Sequence, residues 1–166
     1  MRKNVNPVKK GEILYVYTDG ASRGNPGPAA IAYIFGVLRE GKWVEVERYS
    51  EYIGTATNNT AEYKAIIKAL NEAHRYTRWN IKLHSDSELV IRQIKGEYRI
   101  KKKHLSVLCE EVYEKAKFYE RVEYFHVPRE NSYIQECDRL CNLELDKAGY
   151  SKRNKRKSKV VLNEPK

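Results

Sequence analysis

The sequence predicts an α/β protein built on a mixed five-stranded sheet flanked by helices. In the first part of the chain, three segments with strand composition follow one another through short turns, so the first three strands are expected to be antiparallel. Segments of helical and strand periodicity then alternate to the end of the core sequence. A length of 166 residues suits one domain with one substantial core.

The first strand is expected at about residues 12–19. An apolar run from Ile13 to Tyr17 lies between Gly11 and Gly20 and leads directly to Asp19. Because a buried strand should not end on an unpaired charge, we expect Asp19 where the sheet opens to solvent, beside a cation or a hydrogen-bond donor. A loop rich in glycine and proline is predicted over residues 20–28.

A hairpin and a helix are predicted next. Strands are expected over residues 29–38 and 42–53, since Arg39-Glu40-Gly41 between them is typical of a tight turn. A helix should follow the polar turn at residues 55–60 and run to about Tyr76. Its buried face is indicated by apolar residues at positions i, i+3, i+4 and i+7, which are Tyr63, Ile66, Ile67 and Leu70.

The second half of the sequence predicts two more strands and three more helices. A short strand is expected over residues 80–85, and Asp86 should begin the helix that follows it. A further helix is predicted from about Leu105, and the last strand over residues 122–127. The inner face of a closing helix is marked by Cys137, Leu140, Cys141, Leu145 and Ala148.

The net charge of +10 is concentrated at the two ends of the chain. Residues 1–11 carry four basic and no acidic side chains, and residues 151–166 carry seven basic side chains against Glu164, whereas residues 12–150 carry 21 of each sign. We therefore expect a flexible basic N-terminus over residues 1–11, one folded domain over residues 12–150, and a disordered basic tail over residues 151–166. The tails are interpreted either as solvated ends or as a weak attraction for polyanions.

The cysteines and the hydropathy pattern favour a cytoplasmic protein. Cys109, Cys137 and Cys141 are odd in number, and no pair of Cys or His follows at zinc-site spacing, which favours buried, reduced thiols. No apolar run approaches the roughly 20 residues that cross a bilayer. The N-terminus lacks the apolar stretch of a secretory signal, so no membrane association is expected.

Four acidic residues stand at the ends of predicted elements beside apolar neighbours: Asp19, Glu62, Asp86 and Asp138. Each alone would be explained as a helix cap or a solvated end. Brought together they would repel one another, and such a cluster persists only if divalent cations neutralise it. An all-oxygen donor set favours Mg²⁺ or Mn²⁺ over zinc, and two such ions support phosphodiester hydrolysis.

The segments around these acids resemble, in order, the four signature blocks of the type 1 ribonuclease H family. The blocks are TDGASRGNPGP from Thr18, TNNTAE from Thr57, SDSE from Ser85 and CDRLCN from Cys137. The resemblance spans roughly residues 12–149 and implies a ribonuclease H-like fold. It also implies hydrolysis of the RNA strand of an RNA/DNA hybrid by two Mg²⁺ ions, with Mn²⁺ as the alternative metal, held by the four acids. The products would have 3'-hydroxyl and 5'-phosphate ends, and a monomer is expected.

The same resemblance implies a set of substrate contacts. Gly20 and Ala21 would let the RNA backbone approach, and Thr57 would help to seat a phosphate of the DNA strand. Asn25 and the pair Asn58-Asn59 would lie along the minor groove, where the 2'-hydroxyl distinguishes RNA from DNA. The alternative for the asparagines is ordinary turn chemistry.

The sequence departs from many family members at two places. The segment at residues 127–138 contains no histidine before Asp138, so the chain resembles the histidine-free members. Many members carry a long basic segment between their middle helices, called the basic handle, that grips the hybrid. Here only residues 96–103 fill that place, and they include Lys101, Lys102 and Lys103. Two other functions stay open: a nuclease of the same fold that acts on double-stranded RNA, and a non-catalytic nucleic-acid-binding module. A proofreading exonuclease is disfavoured, because Asp19 is followed by Gly-Ala and not by the x-Glu of such enzymes.

Overall fold

The computed structural model describes residues 8–150, and within them it forms one five-stranded sheet with four helices. The elements, in chain order, are β1 (Ile13–Ser22), β2 (Gly27–Arg39), β3 (Lys42–Ala56), α1 (Asn58–Ala73), β4 (Asn80–Ser85), α2 (Glu88–Ile94), α3 (Lys103–Ala116), β5 (Arg121–His126) and α4 (Ser132–Lys147).

The strand order is β3-β2-β1-β4-β5, which confirms the predicted mixed sheet. The pairs β1–β2 and β2–β3 are antiparallel, whereas β1–β4 and β4–β5 are parallel. The parallel pairs need crossover connections, and α1 and the α2–α3 segment provide them.

Helices cover both faces of the sheet because successive side chains of a strand point to opposite faces. Val16 of β1 belongs to a large core shared with α1, α2 and α3. Its neighbour Tyr17 belongs to a smaller core on the other face, which is closed by α4 through Ile134 and Leu145. The sheet is therefore the middle layer of three. Helix α4 packs against the C-terminal half of β1.

The prediction that β1 ends at Asp19 is wrong, because the strand continues to Ser22. Antiparallel pairing with β2 extends along β1 as far as Ser22, opposite Ala29, and keeps Asp19 within a regular strand. On its other edge β1 pairs with β4 only as far as Tyr17. Beyond Tyr17, this edge of β1 pairs with no strand of residues 8–150. The glycine- and proline-rich loop is reduced to residues 23–26, because β1 and β2 extend into its predicted range.

Other boundaries differ by a few residues. The packed chain starts before the predicted boundary at residue 12, since Val8 is buried and its N–H donates to the carbonyl of Tyr76 at 3.0 Å. Helix α1 ends at Ala73, short of the predicted Tyr76. The predictions for residues 1–7 and for the basic tail at residues 151–166 lie outside the described residues.

The three cysteines are free and buried, as expected. Two of them face the sheet from α4: the Cys137 Sγ–H donates to the carbonyl of Tyr17 at 3.5 Å, and Cys141 Sγ lies 3.6 Å from the carbonyl oxygens of Asp19 and Ala30. These thiols pack α4 against β1 and β2. Among residues 8–150, no helix has both the length and the apolar character needed to cross a bilayer.

Candidate active site

A cleft of about 540 Å³ opens where β4 leaves the edge of β1. All four of the predicted acidic residues line it, together with four of the six predicted substrate contacts, which are Gly20, Ala21, Asn58 and Asn59. The other lining residues are Ser22, Ser87, Arg129, Ile134 and Gln135. The structure therefore brings together residues that are more than 100 positions apart in the sequence.

Three of the acids converge closely. Asp19 comes from β1, Glu62 from the first turns of α1, and Asp86 from the junction between β4 and α2. One carboxylate oxygen of each lies within 4.8 Å of the others. This spacing lets one divalent cation contact all three side chains after small movements, which is the geometry expected of a metal site made of oxygen ligands.

Gly20 explains how Glu62 reaches Asp19. A Cβ at position 20 would lie 2.3 Å from the carbonyl carbon of Ala61 and 2.5 Å from the backbone nitrogen of Glu62. Only glycine therefore allows α1 to approach β1 so closely. The backbone N–H of Gly20 then donates to Oε1 of Glu62 at 3.1 Å and fixes its carboxylate. The glycine is thus required by packing of the helix on the strand, independently of the predicted approach of an RNA backbone.

The surroundings of the acids disfavour their negative charge. Burial raises the pKa of Asp19 well above its usual value, and the nearby charges of Asp86 and Asp138 add to the rise. Burial likewise raises the pKa of Glu62 well above its usual value, with further contributions from Asp19 and Asp86. Burial also raises the pKa of Asp86, although Arg129 acts in the opposite direction. A site of this kind gains free energy from a bound cation.

Arg129 forms an ion pair with one acid of the cluster. Its Nε lies 3.8 Å from Oδ2 of Asp86, and its side chain is 87% exposed. Because the arginine is exposed and the distance is long, this ion pair contributes little to stability. Arg129 therefore partly balances the outer side of the cluster without closing the cleft.

Asp138 lines the same cleft but lies outside the group of three. Helix α4 begins at Ser132 behind the Asn131 cap, so Asp138 is in the second turn and exposed, not at the helix start as predicted. The side-chain amide of Asn142, one turn later, donates to Oδ2 of Asp138 at 3.2 Å. Asp138 is therefore positioned by α4 and not by the β1–α1 contact that holds Glu62.

The predicted substrate residues divide into two groups. Asn58 and Asn59 line the cleft, whereas Asn25 and Thr57 lie just outside it. Thr57 is the N-cap of α1, and its Oγ1 accepts from the Thr60 N–H at 3.2 Å. Oδ1 of Asn25 accepts from the Asn58 N–H at 3.0 Å. The Asn25 bond joins the loop at residues 23–26 to α1, and the Thr57 bond caps the same helix, so turn and cap chemistry accounts for part of the role of these side chains.

The sequence did not point to Arg23 or Asn142. Arg23 is 9% exposed in the glycine- and proline-rich loop, and its Nη1 donates to Oδ1 of Asp146, 123 positions later, at 2.9 Å. No local pattern indicates such a long-range contact. For Asn142 a signal was present, because residues four apart on a helix share a face and Asn142 follows Asp138 at that spacing.

Comparisons with known proteins agree with this geometry. A family model described as reverse transcriptase-like matches residues 17–142. The chain is 38% identical to Ribonuclease HI of Halobacterium salinarum over 144 residues, which cover 87% of this chain and 69% of that protein. It is 35% identical to Bifunctional protein Rv2228c of Mycobacterium tuberculosis over 139 residues, but these cover only 37% of that longer protein.

Solved RNase H1 structures superpose on most of this chain. The crystal structure of RNase H1 from Halobacterium salinarum superposes with a TM-score of 0.73 at 34% identity, covering 81% of this chain and 98% of that one. LC11-RNase H1, from a compost metagenome, was solved in complex with an RNA/DNA hybrid and superposes with a TM-score of 0.74 at 33% identity, again covering 81% and 98%. This chain therefore belongs to the type 1 ribonuclease H family.

Proposed function

We propose that this protein is an endoribonuclease that hydrolyses the RNA strand of RNA/DNA hybrids with the help of two divalent metal ions. The observation that carries the proposal is the set of three carboxylates within 4.8 Å of one another, with Asp138 on the rim of the same cleft. A nuclease of this kind needs no nucleophilic side chain, because the attacking group is water.

The donor set fits hard cations. Asp19, Glu62 and Asp86 offer only oxygen ligands, and burial together with the neighbouring carboxylates raises the pKa values of the first two. Mg²⁺ or Mn²⁺ bound there would supply activation of water and stabilisation of the leaving oxygen, which yields 3'-hydroxyl and 5'-phosphate ends.

The protein's own contribution is to hold its ligands in place. Asp19 is fixed by the β1–β2 pairing, and Glu62 is fixed by the hydrogen bond from Gly20. Asp86 and Asp138 lie on the more open side of the cleft, where a phosphodiester has to enter. The rigid side therefore orients the ions, and the open side receives the substrate.

An RNA/DNA hybrid suits the surface beside the acids. LC11-RNase H1 was solved with such a hybrid, and this chain superposes on it over most of its length. The N-terminus of α1 carries Asn58 and Asn59 into the cleft, and a helix N-terminus attracts phosphate through its free N–H groups. We propose that Gly20, Ala21, Asn25, Asn58 and Asn59 contact the RNA strand, and that Thr57 lies near a phosphate of the DNA strand.

The substrate is tested by a panel of duplexes with one labelled strand. The purified chain is incubated in Mg²⁺, and separately in Mn²⁺, with an RNA/DNA hybrid, double-stranded RNA, single-stranded RNA and double-stranded DNA of one sequence. We expect cleavage of the RNA strand of the hybrid, with 5'-phosphate products. Faster cleavage of double-stranded RNA would assign the other duplex as substrate. Salt-sensitive binding of the hybrid with no cleavage in either metal would indicate a binding module.

A further inference from the structure

Asn142 lies between a buried arginine and the exposed Asp138. Its Nδ2 donates to the backbone carbonyl of Asp138 at 2.9 Å and to Oδ2 of the same residue at 3.2 Å. Its Oδ1 accepts from Nη2 of Arg23 at 2.8 Å. The result is a continuous chain of hydrogen bonds from the loop at residues 23–26, through α4, to the carboxylate on the rim of the cleft.

The orientation of the Asn142 amide follows from the chemistry of its two partners. A guanidinium has only donors, and an ionised carboxylate has only acceptors. With Arg23 on one side, the amide must present its oxygen to the arginine, and its NH₂ group is then directed at Asp138. Reversing the amide would set donor against donor at Arg23 and acceptor against acceptor at Asp138.

Arg23 is itself held firmly. It is 9% exposed, and its other terminal nitrogen forms the 2.9 Å ion pair with Asp146, whose side chain is half exposed. Its Nε is buried with no hydrogen-bond partner in the described chain. Burying an incompletely bonded guanidinium is a poor means of gaining stability. The placement of Arg23 is better explained by what it orients.

We propose that Asn142 and Arg23 are positioning residues for Asp138: Arg23 fixes the Asn142 amide, which holds the Asp138 carboxylate toward the cleft. Asp138 needs such support because it is exposed and lies outside the group of three acids that β1 and α1 bring together. Mutation of a partner that orients a metal-binding side chain typically lowers metal affinity or activity by roughly 10- to 100-fold. This inference rests on the proposed function only in assigning Asp138 to the metal site.

The test uses Mn²⁺ affinity, measured by calorimetry on the full chain without substrate, beside the rate of hybrid cleavage. Asn142→Ala should weaken Mn²⁺ binding and lower kcat by roughly tenfold, with little change in KM for the hybrid. Asn71→Ala is the matched control: it removes an exposed asparagine of α1, whose Oδ1 accepts from Nζ of Lys115 at 2.9 Å, so Mn²⁺ affinity should stay that of the wild type.

A double-mutant cycle separates positioning from a general structural effect. In an Asp138→Ala background, Asn142→Ala should change Mn²⁺ affinity by less than twofold, because its target is gone. A tenfold loss that persists there, or an equal loss in Asn71→Ala, would overturn the proposal.

A third measurement does not depend on metal or cleavage. The Asn142 side-chain amide protons should shift in NMR spectra of both Arg23→Lys and Asp138→Ala, and an unchanged resonance in either variant would contradict the hydrogen-bond chain. If the wild type failed to cleave hybrid while these shifts and the Mn²⁺ dependence were seen, the proposed function would fail and the positioning role would stand.

Discussion

The two walls of the cleft are built differently. The inner wall consists of β1 and the start of α1 and carries Asp19, 5% exposed, and Glu62, 9% exposed. The outer wall consists of the β4–α2 junction, the segment at residues 127–131 and α4, and it carries Asp86, Arg129 and the exposed Asp138. Backbone pairing and a close helix–strand contact fix the inner wall, whereas side-chain hydrogen bonds and one long ion pair arrange the outer wall. The difference suggests that the inner wall sets the metal geometry and the outer wall adjusts it.

The largest effect is expected at the centre of the inner wall. Asp19→Asn removes the charge of the most buried of the four acids while keeping its shape, and should lower hybrid cleavage by roughly a thousandfold or more. Glu110→Gln on the exposed face of α3 is the control for loss of a carboxylate. Single-turnover rates of the two variants make the comparison, and an Asp19→Asn rate within tenfold of the wild type would show that Asp19 is not a required ligand.

Gly20→Ala should damage the inner wall without removing any ligand. The added Cβ would lie 2.3 Å from backbone of α1, so the helix must move away from β1 and carry Glu62 with it. We expect a loss of about 1–3 kcal/mol in the free energy of unfolding, from urea titration, together with a clear loss of cleavage. Wild-type stability and activity in this variant would mean that the close approach is not needed.

The electrostatic cost of the inner wall should appear as a pH-dependent stability. Burial raises the pKa values of Asp19 and Glu62 in the folded protein above those of the unfolded chain. At a pH between the unfolded-state and the folded-state pKa of each group, the folded protein therefore binds more protons than the unfolded chain. The stability contributed by these groups is lost as pH rises through the folded-state pKa. Without metal, the free energy of unfolding should fall over this range, and the fall should be smaller in Asp19→Asn.

Divalent ions should reverse that loss. A ligand at about 100 times its dissociation constant stabilises the folded state by about 2.7 kcal/mol. Urea titrations at neutral pH, in EDTA and in saturating Mg²⁺, should show such a gain for the wild type and little gain for Asp19→Asn. Equal gains in both proteins would place the stabilising ion elsewhere.

The smallest effect is expected at the outer wall. Arg129→Ala removes the cation that lies 3.8 Å from Asp86 and competes with a metal ion for that carboxylate. Exposed pairs contribute about 0.2–1 kcal/mol. Mn²⁺ affinity should therefore rise by a factor of about 1.5 to 5. The control is Arg121→Ala, an exposed arginine whose ion pair is with Glu123 on β5. Weaker Mn²⁺ binding in Arg129→Ala would show that this side chain supports the metal site.

Local patterns were sufficient to predict much of the fold and of the site. The short strand β4 is bounded by polar residues and was placed at residues 80–85, as observed. The absence of a long basic handle is confirmed, because only residues 95–102 separate α2 from α3. The four acids were found because each stands beside an apolar segment at the end of a predicted element, although in the structure β1 continues past Asp19 and Asp138 lies in the second turn of α4.

Long-range contacts account for what sequence reasoning missed. The extension of β1 past Asp19 depends on the register with β2, in which Asp19 lies opposite Ala32. The need for glycine at position 20 arises from the backbone of Ala61 and Glu62, about 40 positions later. The contact between Arg23 and Asp146 spans almost the whole domain. Such contacts are set by tertiary packing, which periodicity and turn chemistry do not encode.

Calorimetric titration of Mn²⁺ into the wild type, Asp19→Asn and Asp138→Asn is the most direct test of the claim that the inner wall builds the metal site. We expect binding by the wild type, no measurable binding by Asp19→Asn, and weaker but measurable binding by Asp138→Asn. No binding by the wild type, or an equal loss in both variants, would contradict the account.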